Sequence, residues 1–152
     1  MTDVENSIAQ PRLRQLYAYW NGLRRGDAFP ARRDLDPVQF RFVLGHVFLV
    51  DVERDPPRFR YRLFGVNLAR RAGYELTGKS VDEIPSADMR AYLARHYQAM
   101  LAAPGPRVDR GERVLGETRR FEMLLLPLAD DGKTVDMILG ALLYADPLTP
   151  EL

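Results

Sequence analysis

The apolar residues near the start of the chain recur with the period of an α-helix. From Pro11 onward they fall three and four positions apart, and Gly22 and Gly26 weaken and then end the pattern. Since the resulting apolar face must be buried, the helix is expected to pack either on its own chain or on a partner. Residues 1–10 are polar and are expected to form a loose terminus. The apolar face consists of Leu13, Leu16, Tyr17, Trp20 and Leu23.

Three more helices are predicted: one before the first strand, a short one between Asn67 and Gly73, and a long one before the third strand. Asp36 and Pro37 indicate the start of a short helix, because Asp can accept hydrogen bonds from the first amides and proline fits the first turn. Gly45 is placed to end that helix. The longest helix is predicted over residues 86–101, with Ser86 as its cap. Its apolar face consists of Met89, Tyr92, Leu93, His96, Tyr97 and Met100.

Three of the five predicted strands are apolar on both of their alternating faces. They cover residues 46–53, 119–128 and 135–144. Strands of this kind are typical of the middle of a sheet, where both faces are covered. The later helices are expected to cover one face, and the N-terminal helix is the candidate for the other.

The other two predicted strands carry more polar residues. Residues 58–64 alternate strictly, with Phe59, Tyr61 and Leu63 on one face and arginines on the other. Residues 107–115 are polar and contain few apolar side chains. Both strands are therefore expected at the edges of the sheet, where polar side chains and unpaired backbone N–H and C=O groups meet water.

Composition and charge narrow the class of protein. The 152 residues, 46% of them apolar and 28% charged, are typical of one globular domain. The 22 basic and 21 acidic residues leave a net charge of +1, without the basic excess of nucleic-acid-binding proteins. We see no apolar run long enough to span a bilayer and no signal-peptide pattern, so a cytoplasmic protein that binds neither nucleic acid nor membrane is expected.

The sequence offers few residues of the kind used in catalysis. It has no cysteine, which excludes a disulfide, a thiolate metal site and a cysteine nucleophile. Its two histidines, His46 and His96, have no G-x-S-x-G serine motif beside them and no acidic residues at metal-ligand spacing. Phosphate-binding and dinucleotide-binding glycine motifs are also missing. The protein is predicted not to be an enzyme and not to hold a metal ion.

The segment between the second strand and the long helix resembles the signature of PAS domains. The resemblance covers residues 12–145, and the wider pattern is similar to stand-alone, single-domain bacterial PAS-like proteins. It implies an α+β fold: a five-stranded antiparallel sheet of order 2-1-5-4-3 with helices on one face, and an N-terminal helix. This order also puts the second and third strands at the edges, in agreement with their polarity. The residues that carry the signature are Asn67, Gly73-Tyr74, Glu75-Leu76, Gly78-Lys79 and Ile84.

The predicted division of the chain has three parts. Residues 1–36 form the N-terminal helix and its connection. Residues 37–146 form the PAS-like sensory domain, and residues 147–152 are a short tail.

The resemblance further implies a cavity between the inner face of the sheet and the long helix. A mostly apolar site with a few polar groups is typical of small-molecule pockets, but a close-packed core has the same composition. Asn67, like the signature glycines, is explained by local backbone structure better than by ligand contact. The candidate pocket residues are Tyr61, Leu63, Asn67, Tyr92, His96, Met100, Met123, Leu125, Met137 and Leu139.

The sequence leaves the cofactor unknown. His96 lies on the helix that carries the proximal histidine of haem-binding PAS domains, but its distance from the next strand differs by about one turn. Haem is therefore the less favoured interpretation, and a histidine packed against a backbone partner is the simpler one. The flavin chemistry of PAS-type photosensors requires a cysteine, which this chain lacks.

Two functions from different classes stay open. The first is a PAS-type sensory or regulatory domain that binds a small ligand and signals through contacts with another protein, such as a kinase or regulator. The alternative is a ligand-free interaction or dimerisation module that acts through its N-terminal helix and the outer face of its sheet. A homodimer is expected in either case, because one apolar stripe of that helix is available for a partner. The candidate interface residues are Leu13, Leu16, Tyr17 and Trp20.

Overall fold

The computed structural model describes residues 3–54, 56–115 and 117–145 of the chain, so the predicted tail at residues 147–152 lies outside the described residues. Short 3₁₀ helices lie in the connections, among them Pro37–Phe40 and Leu44–His46. No helix in the described ranges is both long enough and apolar enough to cross a bilayer. The main elements are α1 (Asp3–Ser7), α2 (Pro11–Gly22), β1 (Val47–Glu53), β2 (Arg58–Phe64), α3 (Val66–Ala72), α4 (Ala87–Ala102), β3 (Arg107–Leu115), β4 (Glu117–Leu128) and β5 (Met137–Ala145).

The five strands form one antiparallel sheet in the order β2-β1-β5-β4-β3. This confirms the predicted α+β fold and its strand order, with β2 and β3 at the edges. The edge of β2 is protected by the signature segment, because Gly78 N donates to Tyr61 O at 2.7 Å and Tyr61 N donates to Lys79 O at 2.8 Å. Gly78 makes this turn with a φ of +86°, a conformation that favours glycine.

The two faces of the sheet are covered by different parts of the chain. We call the face toward α3 and α4 the inner face and the face toward α2 the outer face. The three buried residues of α4, Leu93, Tyr97 and Met100, pack on the inner face, and the buried residues of α2 pack on the outer face. The inner face presents Phe48, Val50, Phe59, Tyr61, Phe121, Met123, Leu125, Ile138, Leu142 and Tyr144. The outer face presents Val47, Leu49, Leu124, Leu126, Leu128, Met137, Leu139, Ala141 and Leu143.

The N-terminal helix packs on its own sheet. The exposed fractions of its apolar side chains are 0%, 0%, 3% and 0% for Leu13, Leu16, Tyr17 and Trp20. These four residues were the candidate interface residues, and the outer face of the same chain buries them. Folding back on the sheet, one of the possibilities left open by the sequence, therefore occurs, and the homodimer stays a prediction.

One buried carboxylate fastens the start of α2 to the sheet. Glu122 on β4 is 3% exposed and accepts hydrogen bonds from Ala9 N at 2.9 Å, Gln10 N at 2.8 Å and Arg110 Nε at 2.7 Å. Gln10 precedes α2 and provides no side-chain cap, so the amides before the helix are satisfied by a residue more than a hundred positions away. Such a charge-assisted contact is stronger than a neutral hydrogen bond.

A β-bulge in the pairing of β1 with β2 changes the strict alternation predicted for β2. Leu49 pairs with Leu63 and Val50 pairs with Tyr61, so Arg62 is an extra residue. As a result Tyr61 and Phe64 both face the inner side, whereas Leu63 packs against the outer cluster. The prediction that Leu63 shares the face of Tyr61 is therefore wrong.

Two local predictions before β1 are also corrected. The segment that begins at Asp36 forms separate 3₁₀ turns instead of one continuous helix, although Asp36 Oδ1 accepts from Val38 N at 3.1 Å as expected of a cap. The start of the chain is more ordered than its polarity suggested, because α1 forms there and Ile8 is fully buried in the outer cluster.

Candidate functional site

A partly open cavity of about 50 Å³ lies between the inner face of the sheet and helices α3 and α4. Its walls are mostly apolar and aromatic. The lining residues are Phe48, Tyr61, Phe64, Leu68, Arg71, Ala72, Tyr74, Leu76, Met89, Leu93, Tyr97, Leu142 and Tyr144.

Local sequence explains how the helices reach this cavity. On α4, Met89, Leu93 and Tyr97 are spaced four apart, which stacks them on one face. On α3, Leu68 and Arg71 are three apart and share a face for the same reason. Gly73 ends α3 with a φ of +82°, which frees the chain to turn toward Tyr74 and Leu76.

Two buried tyrosines form the polar part of the cavity wall. Tyr61 Oη and Tyr97 Oη are 2.6 Å apart, and these residues are 1% and 0% exposed. Burial raises the pKa of both phenols far above the ordinary value, so both hydroxyls stay neutral at physiological pH. One hydroxyl donates to the other, and the pair bridges β2 and α4.

A single cationic side chain completes the cavity wall described by the structure. Arg71 is half-buried in the last turn of α3, and its guanidinium carbon lies 5.1 Å from the centre of the Tyr144 ring. A guanidinium stacked on an aromatic face is held in place by cation–π attraction. The cavity lining is therefore mostly apolar and includes one arginine that is stacked on Tyr144.

A second polar cluster joins α4 to the edge strand β3. Tyr92 Oη donates to Asp109 Oδ2 at 2.5 Å, His96 Nε2 lies 3.2 Å from the same oxygen, and Arg107 Nη2 lies 3.5 Å from His96 Nδ1. Since arginine can only donate, Nδ1 is the acceptor and Nε2 carries the proton that is given to Asp109. Tyr92 stays protonated, because burial and its contact with Asp109 raise the pKa of its phenol.

His96 in this cluster is neutral at physiological pH. Burial lowers the pKa of the imidazole, and this effect outweighs the nearby carboxylate of Asp109, which raises it. The His96–Asp109 contact is thus a hydrogen bond between a neutral ring and a carboxylate. Both ring nitrogens have partners and the ring does not line the cavity, so its arrangement does not fit an axial ligand of haem.

Comparison with known proteins decides the family. A family model described as a PAS domain matches residues 8–143. The chain belongs to the PAS domain family. It is in general terms a sensory domain, and the inner cavity lies in the place implied by the PAS resemblance of the sequence. No match was found among curated protein sequences.

Several solved structures are similar to this PAS domain, and one of them has a TM-score above 0.5. The PAS domain of Bordetella pertussis BvgS is 18% identical with a TM-score of 0.54, over 72% of this chain and 86% of that one. A Rhodobacter sphaeroides LOV protein is 18% identical with a TM-score of 0.47, over 74% and 70%. A fungal LOV domain photoreceptor is 13% identical with a TM-score of 0.44, over 84% and 88%. At 18% identity the BvgS structure supports the fold alone.

The structure places the ten predicted pocket residues of the PAS domain in five different environments. Tyr61 lines the cavity. Met100, Met123 and Leu125 belong to the inner cluster but lie outside the cavity wall. Tyr92 and His96 bind Asp109. Asn67 Nδ2 donates to His46 Nε2 at 3.0 Å, a contact with a side chain and not with the nearby backbone that was expected. Leu63, Met137 and Leu139 lie on the outer face.

The wrong face was chosen for β5 because its sequence does not distinguish the two faces. Met137 and Leu139 were predicted to line the pocket, but they pack on α2, while Ile138, Leu142 and Tyr144 face the inner side. Every position from Met137 to Tyr144 is buried, so neither face of the strand has polar residues that would distinguish it from the other. Arg71 was missed because charged residues are ordinarily assigned to the surface.

The buried state of His96 has a consequence for pH dependence. We expect the free energy of unfolding to be lower at pH 5.5 than at pH 7.5. In the unfolded chain His96 gains a proton near pH 6.5, whereas in the folded protein the pKa of His96 is lowered and the ring stays neutral to a lower pH. Urea unfolding of the wild type and of His96→Gln at both pH values measures this. The variant should lose less stability on acidification than the wild type. Gln98→Ala, an exposed change on the same helix, should retain the wild-type slope, and equal slopes for all three proteins would contradict the assignment.

Proposed function

We propose that this PAS domain senses a small molecule bound in the inner cavity and passes the signal on through contact with another protein. The observation that carries the proposal is a partly open, mostly apolar cavity whose lining residues include the hydrogen-bonded pair Tyr61 and Tyr97 and the cationic Arg71. Apolar walls with a few placed polar groups are the usual composition of small-molecule sites.

The size of the cavity limits the ligand. A volume of about 50 Å³ is well below the ~300–1,000 Å³ of typical ligand pockets, and it is space for only a few heavy atoms. A larger molecule would have to displace part of the wall, and Met89 is the most adaptable residue there because its side chain is unbranched and half-buried. The same small volume favours a second candidate, a PAS interaction module whose core needs no ligand.

The strands of the sheet connect the cavity on the inner face with the α2 cluster on the outer face. Phe48 on β1 and Leu142 on β5 line the cavity, and their neighbours Val47, Ala141 and Leu143 on the other face belong to the cluster that contains α2. A ligand that binds one arrangement of these strands better than another would shift their packing on α2. The outer layer around α2 is therefore the proposed output surface toward a signalling partner.

The proposal predicts that filling the cavity abolishes a ligand effect. The wild type, Leu142→Phe and the control Leu143→Phe should be compared by thermal unfolding with a panel of small compounds, and the purified protein should be denatured and its released molecules identified by mass spectrometry. A bound or added compound is expected to stabilise the wild type and Leu143→Phe, whose changed residue faces away from the cavity, but not Leu142→Phe.

Two results would contradict the proposal. One is a protein that releases no small molecule and is stabilised by none of the compounds. The other is a stabilising effect that is as large in Leu142→Phe as in Leu143→Phe, which would mean that binding takes place elsewhere. The first of these results would favour the ligand-free interaction module.

A further inference from the structure

We infer that the edge of β3 pairs with β3 of a second copy of this chain, antiparallel and with a two-fold axis at Gly111. The two five-stranded sheets would then form one continuous sheet. The inference is independent of the proposed function, because no residue of β3 is among the cavity-lining residues in the described part of the chain.

The two edges of the sheet differ in what covers them. The β2 edge is closed by its own chain, since Tyr61 exchanges backbone hydrogen bonds with Gly78 and Lys79. The other edge strand, β3, pairs with β4 along all of Arg107–Leu115, and in the described ranges no backbone hydrogen bond joins it to any other element. In an antiparallel strand every second residue directs its N–H and C=O away from one neighbour. The β3 edge therefore has a row of backbone groups with which another strand can pair.

The helices beside β3 lie over its two faces. On the inner face Asp109 binds Tyr92 and His96 of α4. On the outer face Val108 and Val4 of α1 pack against the outer cluster. Within the described residues neither contact uses the backbone groups along the edge. A second strand can thus approach in the plane of the sheet.

The charges of β3 are of both signs and are placed symmetrically about its central glycine. Natural edge strands are protected by bulges, prolines or charges, and β3 has no proline and no register shift against β4. One position away from the glycine the residue before it is basic and the residue after it is acidic. Two positions away the signs are reversed, and three positions away both residues are valine. The sequence of residues 108–114 is VDRGERV.

This symmetry selects one register for two copies. In a two-fold symmetric antiparallel pair, opposite residues lie on the same face, so the axis passes through a residue that meets its own copy. With the axis at Gly111, Arg110 of each copy lies opposite Glu112 of the other. By residue type, the same register sets Asp109 against Arg113. An axis at Arg110 or at Glu112 would instead set two like charges directly opposite each other, which destabilises a strand pair.

Arg110 and Glu112 can form this contact because both are exposed and have capacity left. Arg110 is half exposed, and its only hydrogen bond in the described ranges is from Nε to Glu122 Oε2 at 2.7 Å, which leaves the two NH₂ groups of the guanidinium. Glu112 lies 3.5 Å from Arg120, and both of these side chains are more than half exposed. An ion pair this exposed contributes little, so Glu112 can accept from Arg110 of the other copy.

Sedimentation velocity at increasing protein concentration tests the self-association. We expect a shift from monomer to dimer with a dissociation constant on the order of 10 µM, at the weak end of the range of specific interfaces. A wild type that stays monomeric up to about 1 mM, where even weak pairing is populated, would overturn the inference.

Charge variants of Glu112 assign the dimer to this register. Glu112→Arg sets an arginine opposite Arg110 in both halves of the interface, so the dissociation constant should rise about tenfold, whereas Glu112→Gln removes only the attraction and should raise it about threefold. Asp82→Arg makes the same change of charge at an exposed position beside β2, at the opposite edge, and should keep the wild-type value. Equal dissociation constants for Glu112→Arg and Asp82→Arg would contradict the inference. Thermal unfolding verifies that each variant is folded.

Amide hydrogen exchange locates the interface on the wild-type chain. Every second residue of Arg107–Leu115 should exchange more slowly in concentrated than in dilute protein, because its N–H then donates to the other copy. The amides of α2 should exchange equally at both concentrations. Protection that appears on α2 while β3 is unchanged would mean that a different surface forms the dimer, and it would overturn the assignment to the β3 edge.

Discussion

Replacing Trp20 with alanine is expected to lower the free energy of unfolding by about 3–5 kcal/mol, the range measured when large aromatic residues are removed from protein cores. Trp20 is 0% exposed in the outer cluster, and its Nε1 donates to Pro127 O at 2.9 Å. The change would open a cavity between α2 and the sheet and leave a buried carbonyl without its donor. Urea unfolding followed by far-UV circular dichroism measures the loss.

Two further variants of α2 separate the contribution of the Trp20 hydrogen bond from that of its buried volume and provide an exposed control. Trp20→Phe keeps most of the buried volume and removes only the hydrogen bond, so it should cost about 1–3 kcal/mol. Gln15→Ala changes an exposed position of the same helix and should stay within about 0.5 kcal/mol of the wild type. A folded Trp20→Ala protein with wild-type stability would show that α2 is not anchored on its own sheet. In that case the helix would again be a candidate for contact with a second chain.

Replacing Gly65 with alanine is expected to lower the free energy of unfolding by about 3 kcal/mol, at the upper end of what overpacking costs. A Cβ at this position would lie 2.3 Å from the carbonyl oxygen of Gly45 and 2.9 Å from that of Val47. These atoms are backbone, and Gly65 N is itself bonded to Val47 O at 2.8 Å, so no flexible side chain can move aside. Thermal and urea unfolding test this prediction.

Gly105→Ala is the matched control for this substitution. A Cβ at Gly105 meets no atom within 4 Å, and its backbone is not in the left-handed region, so the same chemical change should be tolerated. Equal stability of the two variants would contradict the prediction, because it would mean that the backbone of Gly45 lies far enough from Gly65 to accept a Cβ atom. The Gly65 change should also weaken ligand binding, because Gly65 sets the start of α3, which carries Leu68 and Arg71 to the cavity.

Much of the fold could be predicted from local patterns. The polar faces of residues 58–64 and 107–115 identified the two edge strands, and the signature glycines identified the turns between β2 and α4. The cap at Ser86 was also predictable, and its hydroxyl oxygen accepts from Met89 N at 3.2 Å. Each of these features depends on residues close together in the chain, so the sequence carries the information directly.

The candidate site was predicted less completely. Tyr61 was identified, but Leu63 was placed beside it because alternation takes no account of the bulge at Arg62. His96 was expected at the pocket, yet its ring turns to Asp109 and Arg107 on the edge strand. The bulge and the β3 contacts both involve residues on another element, and the pattern within one element gives no sign of them.

By itself the sequence determined the five strands, the long helices, the edges of the sheet and the class of the protein, because hydrophobic period, turn residues and caps act within a few positions. Only the tertiary structure decided three further points. It decided which apolar face of β5 meets α4, that α2 packs on its own sheet, and that Arg71, Tyr61 and Tyr97 line one cavity. The physical reason is the same for all three. A strand or helix with an apolar surface must be buried, but which surface covers it is fixed by the packing of distant segments against each other.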